Sequence, residues 1–190
     1  MGLPIITKTE YKTYAGLTTP NHDAEIETLI PKVSAFVKNY CRTSFIDYVG
    51  DPKVEHFNGG TNFFILKETP ILQIQSFETS YDYGKTYSTL VEYTDWALDN
   101  SIQCVRSIST AGFPERINGY KVTYTAGYET IPEDLKLAVC DMITYYRQND
   151  SAVHSSKLPG SNAVPIEYIT SSSLPANIRR VLDLCASDYV

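Results

Sequence analysis

Apolar residues recur along the chain in two different rhythms. Ile26, Leu29, Ile30, Val33, Phe36, Val37, Tyr40 and Cys41 advance by three and four, which predicts one apolar face of a long helix near residues 22–42. Pro20-Asn21-His22-Asp23 supplies a cap and an acidic first turn. Pro31 falls inside the pattern, where its ring removes the bond to the Glu27 carbonyl and is expected to bend the helix. The same spacing returns in Leu135, Ala138, Val139, Met142, Ile143 and Tyr146, predicting a second helix near residues 133–149 that opens on Thr130, Pro132 and Glu133. A shorter helix is marked by Thr7 three residues before Glu10, a capping box, with Gly16 to end it.

Between these helices the period changes. Residues 54–57, 62–66, 71–77, 91–98, 102–105 and 121–125 are rich in aromatic and β-branched side chains and read as strands. Asn58-Gly59-Gly60, Asp82-Tyr83-Gly84, Asp99-Asn100 and Asn118-Gly119 punctuate them as turns, so consecutive strands are expected to pair as antiparallel hairpins in a meander. The double glycine reads as a tight turn in preference to an anion cradle. The fold class is therefore α+β: a helical core with an antiparallel hairpin or sheet region inserted between its two main helices.

Residues 150–173 hold seven serines together with Pro159, Gly160 and Pro165, a composition that buries little apolar surface. Beyond them Leu174, Ile178, Val181, Leu182 and Cys185 return at helical spacing, with Arg179 and Arg180 turned to the other side. The expected organisation is a core domain over 1–149, a flexible linker over 150–173 and a C-terminal helical arm over 174–190. The apolar stripe of the arm has to be buried, either on its own core or on a partner.

Composition narrows the function classes. A formal charge of −6 argues against a protein that grips DNA through its phosphates. Cys41, Cys104, Cys140 and Cys185 lie far apart with no C-x-x-C pair and read as buried free thiols. His22, His56 and His154 fall in no metal-binding pattern, and there is no G-x-S-x-G, P-loop or dinucleotide fingerprint. The scattered carboxylates read as solvated surface charge. The sequence thus nominates no catalytic residue, no metal ligand and no cofactor. It contains no apolar run long enough to cross a membrane and no secretory leader pattern, so the cytoplasm is the expected place of synthesis. Fifteen tyrosines suit either an exposed sheet surface or a subunit interface.

The order of these elements resembles the head-to-tail connector proteins of tailed bacteriophages, also called head-completion or adaptor proteins. The resemblance is carried by Thr9-Glu10-Tyr11-Lys12 in the short helix and by Asn39-Tyr40-Cys41-Arg42-Thr43-Ser44-Phe45 closing the long one. It continues in Val122-Thr123-Tyr124-Thr125-Ala126-Gly127-Tyr128, in Ile131-Pro132-Glu133-Asp134-Leu135 opening the next helix, and in the late Leu174-Pro175 followed by Ile178, Val181 and Leu182. The strand-rich middle is larger here than in the shorter members of that family.

The resemblance implies a structural virion protein with no enzymatic role. It implies a homo-oligomeric ring, dodecameric in form, that sits beneath the portal protein, extends the DNA channel and docks a stopper or tail-completion protein. DNA would pass without sequence-specific binding, which the acidic balance favours. By the same resemblance the portal-binding arm carries Leu174, Ile178, Arg179, Arg180, Val181, Leu182 and Cys185. Replacing Ile178 and Leu182 by Asp is then expected to abolish portal attachment while the monomer stays folded. Two rival readings are a stopper or tail-terminator subunit and a small carbohydrate-binding module or enzyme built on Phe63, Tyr93 and Trp96.

Overall fold

A computed structural model describes residues 2–148, 153–155, 166–168 and 174–186. Its contacts divide the chain into two compact units, one built from residues 3–42 and 132–186 and the other from residues 43–131.

The first unit is helical. Helix α1 (Lys8–Tyr14) starts on the predicted box: Thr7 Oγ1 accepts from the Glu10 amide at 3.2 Å, and Glu10 Oε2 accepts from the Thr7 amide at 2.7 Å. Helix α2 (Asp23–Cys41) runs on through Pro31 and buries Ile26, Ile30, Val33, Val37 and Cys41. Helix α4 (Glu133–Gln148), named after the short α3 (Asp47–Gly50) of the other unit, buries Leu135, Ala138, Val139, Met142 and Ile143. These are the faces that the three-and-four spacing predicts, apart from Phe36 and Tyr146, which are exposed. Polar contacts pin α1 in place. The fully buried Tyr11 shares a 3.0 Å hydrogen bond with Thr144 and receives one from Arg147 at 3.1 Å, and Lys12 pairs with Asp23 at 2.6 Å.

The second unit is a β structure. Strands β1 (Lys53–Phe57), β7 (Tyr120–Ala126), β3 (Ile71–Thr79) and β4 (Ser88–Thr89) form one sheet in the spatial order β1-β7-β3-β4. Strands β2 (Phe63–Ile65), β6 (Cys104–Ser107) and β5 (Trp96–Asp99) form a second. All pairings between these strands are antiparallel, so the mixed α+β class holds, but the meander does not. β1 pairs with β7, with Val54 opposite Thr123, and not with β2.

The reason lies at Asn58-Gly59-Gly60, which is a crossing and not a hairpin turn. The Gly60 amide donates to the Phe113 carbonyl at 2.8 Å, and the Arg116 amide donates to the Asn58 carbonyl at 2.6 Å. A Cβ at Gly59 would stand 2.2 Å from the Pro114 carbonyl oxygen. Gly127 plays a similar part in the Thr125-Ala126-Gly127-Tyr128 phrase: it has φ +113°, and a Cβ there would meet the Phe45 carbonyl oxygen at 2.1 Å.

The core of this unit is aromatic. Phe64 stacks on Phe113 at 4.7 Å and on Phe57 at 4.6 Å, and Phe77 meets Trp96 edge-on at 5.7 Å. Beside it, two buried carboxylates share one ammonium. Lys53 lies 3.2 Å from Glu55 and 3.1 Å from Glu68, Ser44 holds Glu68 through both its amide and its hydroxyl, and Tyr124 donates to Glu55 at 2.7 Å. Burial alone would lower the Lys53 pKa; the bonds to Glu68 and Glu55 overcome it and hold the ammonium above its usual range.

Candidate functional site

The C-terminal stripe forms helix α5 (Ala176–Cys185), entered from Pro175. It packs against α2 and α4 of the first unit, which settles where the stripe is buried: on the chain's own helices. Ile178 is 2% exposed and Leu182 0%, while Leu174, Val181 and Cys185 are half-buried. Arg179 and Arg180 stand on the exposed face together with Leu184, which is 77% exposed.

The expectation that Ile178 and Leu182 can both become Asp without unfolding the monomer is therefore corrected. A carboxylate at either position would enter a closed apolar interior without a partner.

The joint is polar at its edge. Tyr40 donates to Asp183, which keeps the phenol pKa above its usual range. The Cys41 thiol approaches the Leu182 carbonyl oxygen at 3.5 Å, and burial, reinforced by Cys185 and Asp183, pushes its pKa up to about 12. Arg179 reaches Asp183 at 3.9 Å, a solvated pair one turn apart. The outer face thus presents two guanidinium groups and one apolar side chain, with Leu184 one turn beyond Arg180, on a helix seated by Ile178 and Leu182.

Of the segment read as a linker, Val153–Ser155 (β8) and Ile166–Tyr168 (β9) pair as a short antiparallel ladder, with His154 opposite Glu167. Residues 149–152, 156–165, 169–173 and 187–190 lie outside the described residues.

Sequence reasoning missed Leu184, because it sits outside the three-and-four stripe and an isolated exposed leucine carries no pattern. All four cysteines are free: Cys41, Cys104 and Cys140 are buried and Cys185 is half-buried. Among the described residues, no three His, Cys, Asp or Glu side chains converge as metal ligands, and no helix is long and apolar enough to cross a membrane.

Comparison with known proteins accounts for nearly all of the chain. A family model described as head completion protein matches residues 4–185, from before α1 to the end of α5. The head completion protein of Escherichia phage T5 is 22% identical over 187 residues, covering 96% of this chain and 98% of that one. Among solved structures, the neck of an empty gene transfer agent particle computed with C6 symmetry aligns with a TM-score of 0.61 at 15% identity, covering 100% of this chain and 91% of that chain. The neck of the native particle computed with C12 symmetry aligns at 0.59 with 14% identity, covering 96% and 88%. These structures share the fold.

Proposed function

The chain belongs to the head completion protein family and has a structural role at the head-to-tail region of a phage-type virion, and from that premise we propose that it is the adaptor subunit beneath the portal. In this reading, copies of the chain form a ring, dodecameric in form, that extends the DNA channel and gives a stopper or tail-completion protein its docking face. The fold shared with neck components computed under C6 and C12 symmetry supports a closed ring, in which each subunit offers unlike surfaces to its two neighbours. The formal charge of −6 supports a wall along which DNA slides without being held.

The observation that carries the portal assignment is helix α5. It lies within the family match, it is seated on the first unit by Ile178 and Leu182, and it leaves Arg179, Arg180 and Leu184 on the solvent side. Arginine beside an exposed apolar residue is the composition of an interface anchor. The portal-binding surface is accordingly the exposed face Arg179, Arg180 and Leu184 with the half-buried Leu174, Val181 and Cys185 at its border, and Ile178 and Leu182 act by holding the helix in place.

Negative-stain electron microscopy of the purified chain with and without its cognate portal tests this. A ring added to the narrow end of the portal, lost on combining Arg180→Glu with Leu184→Asp, is the expected result. Portal left bare, with binding to tail components in its place, would overturn the adaptor reading in favour of a stopper or tail-terminator.

A further inference from the structure

The unit formed by residues 43–131 holds an open pocket of about 270 Å³ where β3 and β6 finish and β7 begins. Its floor is aromatic, from Phe113 and Tyr120, and its charged wall is Arg116. The Arg116 guanidinium lies 4.0 Å from the centre of the Tyr81 ring and donates one bond, to Thr79 Oγ1 at 2.9 Å. Among the described residues it meets no carboxylate within ion-pairing distance, although the chain holds 22 acidic residues to 16 Lys and Arg. Stacking and the Thr79 bond fix the plane of the fork, so its remaining N–H donors are presented ready-oriented.

We propose that this pocket docks an acidic side chain of a partner protein, with the carboxylate received by Arg116 and its apolar stem laid on the aromatic floor. Two features choose a carboxylate over a phosphate. The site offers a single planar cation, which suits a planar monoanion. Asp95 also lines the pocket, its Oδ2 holding the Val91 amide at 2.8 Å, and repels a dianion more strongly than a monoanion. The rim chooses a protein over a free small molecule. Tyr93 is 79% exposed and Tyr81 75%, and Val91, Ile108 and Ile117, each adjacent in sequence to a lining residue, are exposed as well. Exposed apolar side chains around a half-buried Arg are what a protein interface covers. This inference does not rest on the α5 reading.

Trp96 is the sole tryptophan and its indole N–H donates to the Leu90 carbonyl at 3.2 Å, while Leu90 itself lines the pocket, so its fluorescence reports occupancy. The full chain is titrated with the blocked tripeptide acetyl-Leu-Glu-Leu-amide, with its Gln counterpart, and with acetate. The expected result is saturation by the Glu peptide alone, weakened about tenfold or more in Arg116→Gln and less in Arg116→Lys, which keeps the charge but not the fork. Equal binding of the Gln peptide, saturation by acetate at the same concentration, absence of saturation, or an unchanged affinity in Arg116→Gln would each overturn the proposal. The Gln and acetate arms use the unaltered chain and stand whatever the variants do to folding.

Discussion

Leu182 and Leu184 stand two residues apart on α5 and face opposite environments, 0% and 77% exposed. Truncating each to Ala therefore asks whether α5 is part of the folded unit or a tethered arm. Leu182→Ala removes a fully buried side chain from a contact between three helices. The lost transfer energy and the cavity left behind together cost about 2–5 kcal/mol. Leu184→Ala removes a solvated side chain and should stay within about 0.5 kcal/mol. The assay has to see the right unit. Trp96 lies in the 43–131 unit, whereas the helices that hold Leu182 lie in the other, so urea unfolding is followed by far-UV circular dichroism at the helical band. With a urea slope of about 2 kcal/mol per molar, Leu182→Ala should lower the midpoint by about 1–2.5 M and leave the slope unchanged. A shift for Leu182→Ala no larger than that for Leu184→Ala would refute the reasoning, because it would mean that α5 contributes nothing to the monomer.

Gly127→Ala should cost about 2–4 kcal/mol, because φ +113° is foreign to an L side chain and the new methyl would press on the Phe45 carbonyl; Trp96 fluorescence during urea unfolding measures it. Asp82 accepts from the Thr86 amide, the Thr86 hydroxyl and the Ser80 hydroxyl, and these bonds depress its pKa from 3.8 to about 2. A depressed acid stabilises the fold above its unfolded pKa and loses that contribution as pH falls toward the folded value. The protection of the Thr86 amide, its exchange rate compared with the intrinsic rate at the same pH, should therefore hold above pH 4 and fall between pH 4 and pH 2, and Asp82→Asn should abolish that step.

The sequence shows its helices more fully than its sheet. The faces built on Ile26, Ile30, Val33 and Val37, and on Leu135, Val139 and Ile143, are set by a local period that one window of sequence contains. The Thr7–Glu10 box is equally local and is present atom for atom. Strand positions are also close, because β-branched and aromatic runs mark them. Strand partners are not, since β1 finds β7 more than sixty residues away and nothing near Lys53 encodes Tyr124. Asn58-Gly59-Gly60 misleads for the same reason: the glycines serve the close approach of residues 113–116, a distant segment, and not a hairpin. The α5 stripe is legible as a surface needing burial, while its destination on α2 and α4 is tertiary information. The Arg116 pocket has no signature at all, because Thr79, Tyr81, Asp95 and Arg116 come together from separated stretches.

The division of the chain bears on its synthesis. The 43–131 unit is an uninterrupted stretch, complete once its last residue has left the ribosome, whereas the helical unit needs residues 3–42 and then waits for α4 and α5. At roughly 5–20 residues per second the wait, over the stretch from Arg42 to Cys185, is on the order of ten seconds or more. During it, α2 carries an apolar face whose closing partner has not yet been made. A nascent or truncated chain lacking α5 thus has a finished β unit and an open helical one, so the seat of the outer Arg179, Arg180 and Leu184 face exists only in molecules translated through Cys185.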